Sequence, residues 1–153
     1  MSKLNIDQQT IKELFSNKRS DFLIPDYQRP YAWGEAECQT LWDDIFAFAF
    51  PENDYTRFNS EEDEYFLGPI VTFKNSNGKL EIIDGQQRIT TISLLFLALV
   101  NLLKDGRVES EKTYLADKIQ NTYLIDPYEP EEKKVKLKPI KDDQDAFLKL
   151  FGD

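Results

Sequence analysis

A chain of 153 residues, 41% hydrophobic and 13% aromatic, suits one domain with a real core and excludes a disordered polymer. A formal net charge of −9 excludes a surface that holds DNA by charge over the whole molecule, so any nucleic-acid contact is local. The absence of histidine removes the commonest general base and metal ligand, and the single cysteine, Cys38, excludes an internal disulfide and fits a reducing cytoplasm.

No signal peptide opens the chain. The apolar run Ile92–Val100 is far short of the roughly 20 residues of a membrane span, so no membrane contact is expected. Residues 5–17 predict a short helix with Ile6, Ile11, Leu14 and Phe15 inward. Phe22-Leu23-Ile24 reads as a short strand ended by Pro25. Pro30 follows, so Asp26–Trp33 is a stiffened irregular segment. It carries Tyr27, Gln28, Arg29, Tyr31 and Trp33. These aromatics either cover the core or form a recognition surface, in which Arg29 grips a phosphate and the rings stack on bases.

Gly34 starts the next helix, with Cys38, Leu41, Trp42, Ile45 and Phe48 or Ala49 as its inward stripe. Cys38 falls on that stripe and reads as core. Asp43-Asp44 reads as a solvated face in preference to a metal pair. Residues 51–64 are polar and acidic, a mobile surface loop. Tyr65–Lys74 is a strand whose Gly68-Pro69 interruption marks a bulge or an edge. Asn75-Ser76-Asn77-Gly78 turns the chain into a second hairpin strand, Lys79–Ile83.

That strand leads into Asp84-Gly85-Gln86-Gln87-Arg88 and then a long helix to Leu103. Ile89, Ile92, Leu95, Phe96, Leu99, Leu102 and Leu103 recur at helical spacing, and Leu94, Leu97 and Val100 fill the other faces. A helix apolar nearly all round is buried. A polar loop at its N-terminus meets free N–H groups and the positive end of the dipole, which favour an anion. Asp84 can be the N-cap, with Gln87 reaching back as in a capping box. That explains neither Gly85 nor Arg88, a cation placed where the dipole disfavours it. For the same reason, loss of Arg88 is expected to leave the helix unharmed.

Lys104-Asp105-Gly106 ends the long helix. Ser110–Tyr123 predicts a helix with Tyr114, Leu115, Ile119 and Tyr123 inward, 126–134 a charged loop, and Val135–Ile140 an alternating strand. A helix begins at Asp142 and is cut short after Phe151, so the chain reads as a single domain, 1–153, truncated at its C-terminal end.

Three stretches together resemble a known family: IPDYQRPYAW at 24–33, YFLGPIV at 65–71 and IIDGQQRITTISLL at 82–95. In order and spacing they are similar to the N-terminal domain of GmrSD-type restriction enzymes, and KLKPIKDDQDAFLKLF at 136–151 resembles the strand and helix that follow in that family. The resemblance implies an α+β fold like ParB and sulfiredoxin, a small mixed sheet packed with helices, one of them the long central helix after the DGQQR loop. It implies a nucleoside triphosphate at Asp84, Gly85, Gln86, Gln87 and Arg88, with Asp84, Gln87 and Arg88 acting in hydrolysis. Asp84 would hold Mg²⁺ or orient the attacking water; both stay open. Relatives are antiphage proteins that cut modified foreign DNA with a separate C-terminal His-Asn-His nuclease, and this chain has no histidine to supply one.

Two functions follow as expectations. One is an NTP-hydrolysing sensor that controls a linked nuclease domain or subunit. The other is a non-catalytic reader of modified DNA, in which Tyr27, Gln28, Arg29, Tyr31 and Trp33 form the site and DGQQR grips a backbone phosphate.

Overall fold

The computed structural model describes residues 9–16, 21–54, 56, 65–126 and 135–151. The start of the predicted first helix, most of the acidic loop after Asp54 and the charged loop 127–134 lie outside them.

Strand β1 (Phe22–Leu23) pairs a buried Phe22 with a half-buried Leu23, and it sits inside the sheet. It runs parallel to β3 (Leu80–Asp84) on one side and to β4 (Leu137–Lys138) on the other. Phe22 faces Leu80 and Leu137 in register. Strand β2 (Val71–Lys74) pairs antiparallel with β3 and forms an edge, giving the order β2-β3-β1-β4. The predicted strand from Tyr65 is shorter than expected, because residues 65–70 are irregular and the register shifts between Val71 and Thr72. The hairpin turn is as predicted: Gly78 has φ 81°, and the Asn75 side chain accepts from the N–H groups of Asn77 and Lys79.

Helix α1 (Ile11–Ser16) buries Phe15, and α2 (Glu35–Ala49) follows the segment around Tyr31. Of the stripe expected inward on α2, Leu41 is buried and Cys38, Ile45, Phe48 and Ala49 are half-buried, but Trp42 is 47% exposed. Helix α3 (Gln86–Lys104) is the long central helix. Its 19 residues, at a mean hydropathy of 1.3, have the length and composition of a membrane span, but it is wedged into the domain, with Ile89, Ile92, Leu97 and Val100 buried. It ends as expected at Gly106, φ 74°, where Gly106 N–H donates to Leu103 O and Arg107 N–H to Leu102 O, a Schellman closure.

Two apolar clusters hold these elements. Phe15, Phe22, Ile82, Ile89, Leu137 and Phe147 join the sheet to α1, to the first half of α3 and to α5 (Lys141–Lys149). Leu97, Val100, Ile119 and Leu124 join the second half of α3 to α4 (Leu115–Ile119) and the π-turn Gln120–Leu124. Tyr123 bridges the two, stacked on Phe96 at 4.0 Å and edge-on to Phe15 at 6.0 Å. The helix predicted from Ser110 starts later, and Tyr114, expected inward, is exposed.

The expected alternating strand 135–140 is reduced to β4 and an isolated bridge between Val135 and Ile125. Lys136 breaks the expected alternation. Its side chain points inward, 6% exposed, and its ammonium donates to Phe15 O at 2.5 Å and Thr122 O at 2.7 Å. Burial lowers its pKa from the usual 10.5, with the Asp126 charge opposing.

Candidate functional site

The predicted loop lies where β3 passes into α3. Gly85, not Asp84, is the N-cap of α3, in the left-handed region at φ 90°, and no side chain caps the helix. The capping-box reading is thereby overturned. Asp84 is exposed and turns its Oδ1 to the neighbouring Gly85 N–H at 3.0 Å. Gln87 points the other way. The first N–H groups of α3, at Gln86, Gln87 and Arg88, are therefore left without a side-chain cap.

Glycines explain how the neighbouring chain comes so close. A Cβ on Gly85 would lie 2.4 Å from Ile70 Cδ1 and 3.3 Å from Pro69 O. A Cβ on Gly68, φ 106°, would lie 2.9 Å from an Arg88 guanidinium nitrogen. The guanidinium thus rests over Gly68 and donates to Pro69 O at 3.2 Å. Among the described residues it has no carboxylate partner. Its charge is also felt at Tyr65, whose phenol pKa is raised by burial first and Asp44 next, with Arg88 pulling it down. The Gly68-Pro69 interruption, read in sequence as a bulge, is thus also the seat of the site's cation.

The Tyr27–Trp33 segment packs directly against this loop. Gln86 Nε2 donates to Gln28 Oε1 at 3.0 Å, and Gln28 Nε2 reaches Ile83 O at 3.4 Å. Gln87, 9% exposed, turns its amide to the segment: its Oε1 accepts from Ala32 N–H at 2.7 Å and Trp33 N–H at 3.3 Å, and its Nε2 donates to Pro30 O at 3.2 Å. Gln87 therefore positions the segment with its side chain, while its backbone N–H stays at the uncapped end of α3.

One helical turn on, Thr91 gives its only hydroxyl proton to Gln87 O, so it must accept from Tyr31 Oη at 2.8 Å. Tyr31 Oη also meets Cys38 Sγ at 3.4 Å. Burial first, and the Cys38 contact second, push the Tyr31 pKa up to about 12, so the phenol stays protonated and keeps this bond. Tyr31 is thus a structural peg, and Cys38 is its half-buried neighbour. Tyr27, 74% exposed, and Arg29 stand out from the surface, and Trp33 is half-buried.

Two anchors were not legible in the sequence. Asp26 Oδ1 accepts the N–H of Lys141 at 2.8 Å, and Asp143 Oδ2 accepts the N–H of Tyr31 at 2.9 Å. Each carboxylate serves the other's element, a reciprocal clamp between the segment and the first turn of α5. Nothing local in either stretch signals a partner more than a hundred residues away.

Gln87→Ala is expected to remove three hydrogen bonds, costing about 1–3 kcal/mol because Ala32 and Trp33 can recover part of the loss with water. Trp33 emission in a Trp42→Phe background should shift to the red as the segment loosens. An unshifted spectrum with an unchanged melting temperature would remove Gln87's positioning role.

The described residues thus define a small α+β domain, five helices on a four-stranded mixed sheet, with an uncapped helix N-terminus, a cation and a clamped aromatic segment on one side. Residues 11–153 match the GmrSD restriction endonuclease, N-terminal domain, and the chain belongs to that family. Among curated proteins, none is significantly similar in sequence to the chain.

Proposed function

We propose that this chain is the nucleotide-binding, NTP-hydrolysing sensor domain of a cytoplasmic antiphage restriction system, acting on modified foreign DNA and governing a separate His-Asn-His nuclease domain or subunit. The observation that carries the reading is Arg88. A guanidinium is held by a lone carbonyl, with no carboxylate partner among the described residues, beside the uncapped N-terminus of α3. Phosphate oxygens would receive the N–H groups of Gln86 to Arg88 and pair with the guanidinium. Gly85 lets the backbone approach closely. The ParB- and sulfiredoxin-like ancestry implied by the sequence motifs belongs to the same reading.

A metal fits this loop in one way. No group of three metal-binding side chains exists among the described residues, and Asp84 is the carboxylate of the loop. A Mg²⁺ held chiefly by nucleotide phosphates and water needs only one or two carboxylates, and Asp84, exposed at the end of β3, suits that role. Such an ion would neutralise phosphate charge; positioning of the phosphates falls to Arg88 and the helix N-terminus.

The contact between Gln28 and Gln86 favours a second reading in one respect. The two motifs are one surface, so DNA held at Tyr27 and Arg29 could place a backbone phosphate on DGQQR with no turnover. NTP hydrolysis with and without modified DNA, on the full-length protein and on this chain, separates the two.

Arg88→Ala is expected to weaken nucleotide affinity about ten- to a hundred-fold, the equivalent of roughly 1.5–3 kcal/mol for a charge-assisted bond. It should also lower the stability of the free protein by about 1 kcal/mol, since the contact with Pro69 O is lost. The sequence suggested no such cost. The measurement is thermal melting of both proteins with and without ATP or GTP and Mg²⁺. Equal nucleotide-induced shifts in the two would sink the phosphate site.

A further inference from the structure

Helix α2 presents an aromatic row that the proposed site does not use. Trp42, Phe46 and Phe50 follow one another at one-turn spacing, with ring centroids 6.0 Å and then 4.8 Å apart. Trp42, expected inward, is 47% exposed, and Phe46 is 39% exposed. Within the described residues α2 buries only Leu41. The row lines a groove of about 390 Å³, closed at one end by the 3₁₀ turn Pro51–Asn53. There Glu52 and Asn53 both hold left-handed backbone, φ 57° and 61°, without being glycine. Such strain persists where surrounding structure enforces it, and it gathers at binding sites.

Charge states what the groove can accept. Between Arg29 and Arg57 the sequence carries Glu35, Glu37, Asp43, Asp44, Glu52 and Asp54 and neither lysine nor arginine. Asp43 stands on the groove itself, with Asp44 next to it in α2. A second copy of a chain with net charge −9 would bring the same acids to the same face, and DNA would be repelled outright. We infer that the Trp42–Phe46–Phe50 groove docks a cationic amphipathic helix of a partner protein or domain, apolar side chains against the rings and lysine or arginine over Asp43. The row is about 12 Å long at the helical rise, two turns of a partner helix laid alongside. This surface is independent of the proposed nucleotide site, and its test involves no nucleotide.

The test titrates the chain with a synthetic helical peptide of leucine and lysine, with its leucine and glutamate counterpart, and with a short DNA duplex, by calorimetry at physiological salt. The expected result is saturable one-to-one binding of the lysine peptide alone, weakened at least tenfold by Phe46→Ser and again by Asp43→Lys. Phe46 is exposed, so Phe46→Ser should melt like wild type; if it does not, Trp42→Ser takes its place. Equal affinity for wild type and the folded variant would show diffuse charge attraction and overturn the proposal. So would the absence of saturable binding, DNA competing for the peptide, or self-association of the chain that Phe46→Ser abolishes.

Discussion

Gly85→Ala should lower the melting temperature by roughly 6–12 °C. Two costs combine at that position. An alanine at φ 90° is strained by about 1–3 kcal/mol. Its Cβ would also lie 2.4 Å from Ile70 Cδ1 and 3.3 Å from Pro69 O, overpacking worth about 1–3 kcal/mol more. A combined loss of about 3 kcal/mol gives the stated shift for a chain of this size. A second substitution separates the terms. Ile70→Val removes the clashing methyl and leaves the backbone strain, so adding it to Gly85→Ala should restore less than half of the loss. Full recovery would mean that the left-handed backbone is no constraint there. The variant also tests the proposed site, because a displaced Gly68–Ile70 stretch carries the carbonyl that seats Arg88.

Lys136→Met should cost about 2–4 kcal/mol, read by chemical denaturation. The methionine fills the space but leaves Phe15 O and Thr122 O without their donor, and each unsatisfied buried carbonyl costs about 1–3 kcal/mol. A pH series gives an independent check. Because burial lowers the pKa of Lys136 in the folded chain, the unfolded chain binds more protons between that lowered value and 10.5. Stability should therefore rise with pH across that window, and Lys136→Met should flatten the rise. An equal slope in both proteins would mean that the ammonium is not held in a desolvated setting.

The long helix, the hairpin and the DGQQR loop were legible because each is local. Apolar spacing fixed α3, Asn-Gly fixed the turn, and a glycine and an arginine at a helix start marked the loop. What escaped depends on distance in the chain. Gln87 read as a cap or a catalytic group because nothing nearby shows that its amide belongs to Pro30, Ala32 and Trp33. Lys136 sits in what looked like a plain alternating strand, and only α1 and the π-turn explain its burial. Trp42 read as core because helical periodicity gives the face but not whether another element covers it. Gly68 was seen as a break in a strand, when its lack of a side chain also makes room for Arg88.

The reciprocal clamp between Asp26 and α5 also orders events in time. Its two bonds span 115 and 112 residues of sequence, whereas the Gly85 cap and the α3 helix close over a few. As the chain is made, the DGQQR loop can take shape once β3 and α3 have emerged. The Tyr27–Trp33 segment can then dock on Gln86, Gln87 and Thr91, and Lys141 and Asp143 add the last two bonds when they arrive. Contacts of such long span form late, after the entropy of closing the intervening loop has been overcome. A nascent chain interrupted before residue 140 would carry both motifs and their direct contacts but lack the clamp to α5. Translation through α5 is thus the step that completes the clamp.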